Sequence, residues 1–348
     1  IFIFFQSFIN FPEFNLKNLF YIRFYFYYLA ILLLFEKKEN LKESYYLFLR
    51  NIIYVLFILV AFHFIQLLTG LSTIDQRLTL PLRQEEIAVS IYTKFYPLIF
   101  IFLLIIQKKS KNNFLLKYRN LFLTIIILVP IISLLSGERM NSIMLLMFCF
   151  FFLIRFNVKI FLYIVILFSI AILLHNKLEI INNGDRILYI IDRYLNFINN
   201  INNNFLLESS WGNHYMAAIQ IFKENYMNGI GIKMYRPECL TIFLKTGFEC
   251  STHPHNMYIE IATETGIFPF ILFIIIIFKV FKIFMKNLLK KNFSLTDIMI
   301  LSISITILIY SFPFRSTGSF FNNYNSSFFW IYIGLLESLN ERKKKYYN

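Results

Sequence analysis

The sequence predicts an all-α polytopic membrane protein with about nine transmembrane helices and one large periplasmic loop. Three observations predict it. The 348 residues are 58% hydrophobic and 20% aromatic, with mean hydropathy +0.61, well above soluble-domain norms. Several apolar runs approach the roughly 20 residues that a spanning helix needs, where a β-barrel would show short alternating segments. Basic residues cluster in alternate short loops, the positive-inside pattern. That pattern also directs the net charge of +14 toward membrane lipids and away from nucleic acid.

In chain order, spans are predicted near 18–35, 51–69, 88–106, 121–136, 141–155, 158–174, 267–285, 295–311 and 324–339. The basic loops include Lys37, Lys38 and Arg50, then Lys108, Lys109 and Lys117, then Arg155 and Lys159, then Lys286, Lys290 and Lys291. The tail carries Arg342 to Lys345. All of these belong on the cytoplasmic side, the C-terminus included. Ile1 to Ile9 reads like the end of an apolar segment, so further chain is expected ahead of it. Three regions follow: N-terminal transmembrane helices in 1–174, a periplasmic loop with an amphipathic helix in 175–255, and a motif helix with C-terminal spans in 256–348.

The loop holds seven Lys or Arg and seven Asp or Glu, so it is near neutral. Gly212 to Tyr226 has helical spacing, with Tyr215, Ala218, Ile219 and Phe222 on one stripe, and can lie along a membrane surface. Asn228-Gly229-Ile230-Gly231 reads as the turn that ends it. No internal repeat and no separate soluble domain is legible. Cys149 sits in an apolar helix and reads as core packing. Cys239 and Cys250, with ten residues between them in an oxidising compartment, are expected to pair; two independent buried thiols are the alternative. No C-x-x-C spacing accompanies them, so no metal site is expected.

The densest chemistry lies in Ser251-Thr252-His253-Pro254-His255-Asn256, running on to Glu260, Glu264 and Gly266. Two of the chain's five histidines flank one proline here. Proline suits the first helical position, so Pro254 is read as opening a helix, with His255 and Asn256 in its first turn. Asn256, Glu260 and Glu264 then share a face. The positive helix start disfavours imidazolium and can hold an anion. A neutral base beside an anion site points to group transfer from a phosphate-linked donor. A polar helix cap at a membrane surface is the plainer reading. Ahead of this stretch, Arg139 lies between two spans in Ser136-Gly137-Glu138-Arg139, where its fork can grip phosphate or anchor a helix end. Arg23 lies within the first span, where it either snorkels or lines a cavity. His63 and His175 read as structural.

His255-Asn256, nine residues, then Gly266 resembles the signature of the bacterial O-antigen ligases and polymerases, as does His-Pro-His-Asn followed by Glu-Thr-Gly. The signature has Gly, Thr or Tyr three residues after its glycine, where this chain has Pro269; the change affects how the next helix enters the membrane. The resemblance implies near twelve spans and an inverting, metal-independent inner-membrane glycosyltransferase with no cofactor. Its donor is a glycan on undecaprenyl diphosphate. Its acceptor is the lipid A core in ligases or another lipid-linked glycan in polymerases. His255 is then general base, and Arg139 and Arg236 bind the diphosphate. Gly229-Ile230-Gly231 resembles the family's Gly-x-Gly stretch and makes Lys233 a second cationic candidate. Asn256 and Glu264 orient histidine or sugar, and His253 assists. The family's arginine near Trp211 to Asn213 is absent; His214 or Arg236 supplies that contact. Arg315 is either a donor contact or a surface anchor. A different class, a carrier or flippase for lipid-linked sugars or small anions, should show paired interrupted helices in two halves, and none is evident.

Overall fold

The computed structural model describes residues 21–36, 41–69, 73–74, 77–80, 83–87, 91–98, 119–135, 139–156, 166, 210–290 and 292–347. Contacts divide the chain into two units, Ile1–Glu39 with Asn200–Asn348, and Asn40–Asn199. The span expected at 158–174, most of the loop before Ser210, and His175 lie outside the described residues.

The unit of residues 40–199 contains α2 (Leu41–Thr69), α3 (Arg119–Leu135) and α4 (Arg139–Phe156). Ile53, Leu56 and Val60 of α2, Ile125 and Val129 of α3, and Leu145 of α4 are buried. Residues 91–98 are helical and bury Tyr92, Lys94 and Tyr96. His63 is also buried, its Nδ1 2.5 Å from Tyr92 Oη, as a satisfied core histidine should be. Three short antiparallel strands, β1 (Thr73–Ile74), β2 (Arg77–Leu80) and β3 (Arg83–Ile87), lie where hydropathy indicated only a short loop. Thr73 faces Leu78 and Thr79 faces Ile87. Ser142 Oγ donates to Ser133 O at 2.7 Å, tying the end of α3 to the start of α4, so Arg139 stands at the first position of its helix.

The other unit opens with α1 (Ile22–Glu36), which packs on α10 (Asn323–Tyr347). Gly334 permits that approach: a Cβ there would meet Tyr28 O at 3.0 Å. Arg23 donates to Asn323 Oδ1 at the first residue of α10, which satisfies the arginine by pairing. Between them lie α5 (Ser210–Glu224), α6 (Tyr235–Thr246), α7 (Met257–Thr265), α8 (Ile267–Leu288) and α9 (Leu295–Tyr310). Ser294 and Asp297 form a capping box at the start of α9, and Lys290 and Lys343 both pair with Asp297. Ser304 and Thr306 return their hydroxyls to carbonyls one turn back, so these two polar side chains are satisfied inside an apolar helix.

Among the described residues, α8 alone is both long and apolar enough to cross a membrane; Ile22–Phe35, Arg50–Gln66 and Thr296–Tyr310 are shorter apolar stretches. Phe268, Ile271, Leu272, Ile275, Phe278 and Phe281 of α8 point outward, an arrangement suited to lipid and unfavourable in water.

Residues 210–266 are a folded helical assembly and not only a surface helix with turns. Ala217, Ala218 and Ile221 of α5 bury against Tyr235, Cys239 and Ile242 of α6, with Ile259 of α7 alongside. The buried stripe of α5 is therefore rotated from the expected one: Ile219 faces outward and Ala217 inward. The reason is that small alanines let α6 and α7 approach, so packing and not side-chain size selects the inward face.

Candidate functional site

The motif helix begins later than Pro254. Asn256 is the N-cap of α7, with extended backbone, and its Oδ1 accepts from Tyr258 N at 3.0 Å and Ile259 N at 3.3 Å. Asparagine in that role satisfies two donors that proline could not. His255 thus precedes the helix, in the left-handed region with φ 57°. A non-glycine residue there carries strain that its surroundings must hold. Thr317 N donates to His255 O at 2.8 Å, and Asn256 Nδ2 donates to Pro313 O at 2.6 Å. The segment after α9 is therefore laced to the histidine stretch from 60 residues away.

The other side is held by glycines. A Cβ at Gly229 would meet Glu264 C and O at 2.6 Å, and one at Gly266 would meet Met227 O at 2.4 Å. Both have positive φ, 66° and 81°. Ile230 N donates to Thr263 O and Ile267 N to Tyr226 O. The turn after α5 and the end of α7 are thus fitted backbone against backbone, which gives the nine-residue spacing between Asn256 and Gly266 a physical meaning: one short helix links a cap to a close-approach glycine. A disulfide joins Cys239 on α6 to Cys250 just ahead of the motif, Cα–Cα 5.7 Å.

Three histidines converge. The His253 and His255 rings have centroids 4.1 Å apart, and His214 on α5 lies 5.5 Å from His255. His255 Nε2 is 2.9 Å from Ser251 Oγ. His253 Nδ1 is 2.9 Å from Thr252 Oγ1, and its Nε2 is 3.2 Å from Thr317 O. His214 Nδ1 is 2.9 Å from Glu249 O. Burial, then the neighbouring histidines, lowers His255 to about 3; burial chiefly lowers His253 to about 4. Both rings are neutral at physiological pH. The cause is desolvation and not the helix field that the sequence reading invoked.

Behind the histidines lie two buried acids on one face of α7. Glu260 accepts from Ser319 Oγ and Phe320 N, each at 2.6 Å. Glu264 accepts from Lys233 N at 2.7 Å and from the Tyr235 backbone. It therefore caps α6, whose own N-cap Met234 offers no side-chain bond. Its carboxylate is buried and turned onto the start of α6. Burial raises both acids, and the Glu260 carboxylate raises Glu264 further. Lys233, itself left-handed at φ 66°, turns its ammonium onto Ser319 Oγ. Glu260, Ser251, Thr317 and Ser319 had no assigned role in the sequence. Only Glu260 carried a signal, its i+4 spacing from Asn256.

The arginines differ in their surroundings. Arg236 is exposed in the first turn of α6. Arg315 is 2% exposed, its guanidinium 5.7 Å from the Tyr310 ring, which excludes a surface anchor. Arg139 belongs to the other unit. Among the described residues, no group of three or more His, Cys, Asp or Glu is arranged to hold a metal ion.

A family model described as O-antigen ligase matches residues 90–274, more than half of the chain. The match contains Arg139, the Gly229–Gly231 turn, Arg236 and the whole of α7, and stops before the 311–322 segment. No curated protein and no solved structure matches.

Proposed function

Because the chain belongs to the O-antigen ligase family, a membrane-embedded family of glycosyltransferases in O-antigen assembly, we propose that it transfers a glycan from undecaprenyl diphosphate to an acceptor hydroxyl. The acceptor proposed is the lipid A core. The reaction occurs at the periplasmic face of the inner membrane, with nine spans in this chain and the C-terminus in the cytoplasm.

One observation carries this reading: His255 is held in a strained left-handed conformation, largely buried and beside two further histidines. Strain of this kind concentrates at functional sites. In the proposed step His255 takes the proton of the acceptor hydroxyl. The acceptor oxygen bonds to the anomeric carbon as the opposite bond to the diphosphate oxygen breaks, so configuration inverts. The electron pair leaves with the diphosphate, whose charge Arg236 offsets, with Arg139 the other cationic candidate. The bound diphosphate also favours imidazolium, raising His255 from its low free value toward a useful one. Lys233 is proposed as a positioning group that holds Ser319 and the 311–322 segment. No metal ion is needed in this scheme.

The test is transfer by the purified protein in vesicles, with lipid-linked donor and either lipid A core or a second lipid-linked glycan as acceptor. His255→Ala should lower transfer about 10²–10⁴-fold, the usual share of general-base catalysis, with the protein still folded. His253→Ala should cost less. Full activity of His255→Ala would remove the base assignment. Growth of the lipid-linked glycan in place of capture by lipid A core would make the enzyme a polymerase. Inhibition by EDTA would overturn metal independence.

A further inference from the structure

The hydroxyl of Ser251 decides which nitrogen of His255 can accept a proton. A serine hydroxyl has one proton to donate and two lone pairs. Ser251 Oγ lies 2.7 Å from His253 O, a carbonyl that can only accept, so the hydroxyl proton goes there. His253 N donates back to the same Oγ at 3.3 Å, occupying one lone pair. The remaining neighbour is His255 Nε2 at 2.9 Å. With its proton committed, Ser251 can only accept from that nitrogen, so the Nε2 of the neutral ring carries the hydrogen.

We infer that Ser251 is a positioning residue that fixes the Nε2–H tautomer of His255, placing the basic lone pair on Nδ1. The inference rests on the reading of His255 as general base, and names the atom through which it acts. On accepting the acceptor's proton at Nδ1, the ring becomes imidazolium while Nε2–H keeps its bond to Ser251, so the ring need not turn during the step. The neighbours are fixed in the same way. Thr317 O can only accept, so His253 Nε2 carries hydrogen and its Nδ1 accepts from Thr252. Glu249 O likewise places hydrogen on His214 Nδ1. The hydrogens of His253 and His255 are thus placed by a backbone carbonyl and two hydroxyls. This differs from a triad, where a carboxylate orients the base and stabilises its charged form; here a neutral hydroxyl orients it without raising its proton affinity.

The experiment is nitrogen NMR of full-length protein, histidine-labelled with ¹⁵N, in lipid nanodiscs near neutral pH, with His255→Asn used for assignment. The expected spectrum has a protonated Nε2 and a lone-pair Nδ1 at His255. Ser251→Ala should populate both tautomers and lower transfer roughly tenfold, the scale of one neutral hydrogen bond. Ser251→Thr, which keeps the hydroxyl, should retain the Nε2–H form. Replacing His255 by Nδ1-methylhistidine, which blocks the proposed basic nitrogen and leaves the Ser251 contact, should abolish transfer. A wild-type spectrum with hydrogen on Nδ1, or unchanged tautomers in Ser251→Ala, would overturn the inference. Neither result bears on the base assignment itself, which His255→Ala tests separately.

Discussion

α7 and α8 are consecutive helices joined only by Gly266, and they are built inside out relative to each other. In and before α7 the buried side chains include Asn256, Glu260, Thr263, Glu264 and Thr265. In α8 the outward side chains are Phe268, Ile271, Leu272, Ile275 and Phe278. The first arrangement is tolerable only because each buried polar group meets a partner. The second is tolerable only where the surroundings are apolar. The contrast sets a polar network closed to solvent at one end of Gly266 against a helix with an outward apolar face, long and apolar enough to cross a membrane, at the other.

The largest test of that contrast is a charge on the lipid-facing side. Ile275→Arg should oppose insertion by roughly 3 kcal/mol at mid-helix, read as loss of protein from the membrane fraction. Unchanged insertion would mean that this face is not against lipid. Next comes the joint itself. Gly266→Ala places a methyl against the Met227 carbonyl in a left-handed-side conformation, so it should destabilise by on the order of 3 kcal/mol. The midpoint of thermal unfolding in detergent measures it, and a shift within error would show that the two backbones do not meet as described.

A smaller effect is expected inside the network. Glu264→Ala leaves the Lys233 and Tyr235 N–H groups without their acceptor and should cost about 1–3 kcal/mol. Hydrogen exchange should rise first at the start of α6; faster exchange confined to the histidine stretch would return Glu264 to a substrate-facing role. The mildest test is pH. His255 and His253 have folded values of about 3 and about 4, below the usual 6.5 of the unfolded chain. The unfolded state therefore binds more protons in between, so the histidines' contribution to stability is complete above about pH 6.5 and is lost as pH falls toward 3. Thermal midpoints measured from pH 7 to 4 should fall, and His255→Asn should flatten the slope. An equal slope in that variant would place the titration elsewhere. The pH profile of kcat/KM, which reports the free enzyme, should show no histidine limb near neutrality, in place of the neutral-range rise that an unperturbed His255 would give.

Much of this was legible locally. Apolar composition and helical spacing indicated helices; Gly212 to Tyr226 falls on α5, and Arg139 opens α4. His-Pro-His-Asn with Gly266 marked the site because rare polar residues stood beside an apolar run. The start of α7 was misplaced because Pro254 and Asn256 are both good helix openers, and only the bonds from Tyr258 N and Ile259 N distinguish them. The inward stripe of α5 keeps the expected Ala218 but turns toward Ala217 and Ile221, because hydrophobic size favoured Ile219 while the neighbours needed the small faces of the alanines.

The sequence by itself determined the helical class, the family and the residue types available for chemistry, because these depend on composition, on period and on a short linear motif. Tertiary structure alone decided the rest. Thr317 meets both histidines across more than 60 residues, Ser319 meets Glu260 across 59, and Glu264 reaches back 31 residues to cap α6. Local patterns carry no record of such pairs, since a hydrogen bond depends on where two chain segments are brought together and not on how either one is spelled. The left-handed backbone of His255 is a case of the same rule. That conformation is uncommon for any residue with a side chain, and the Thr317 and Pro313 contacts, which arrive from the far side of α8 and α9 in the chain, hold it there.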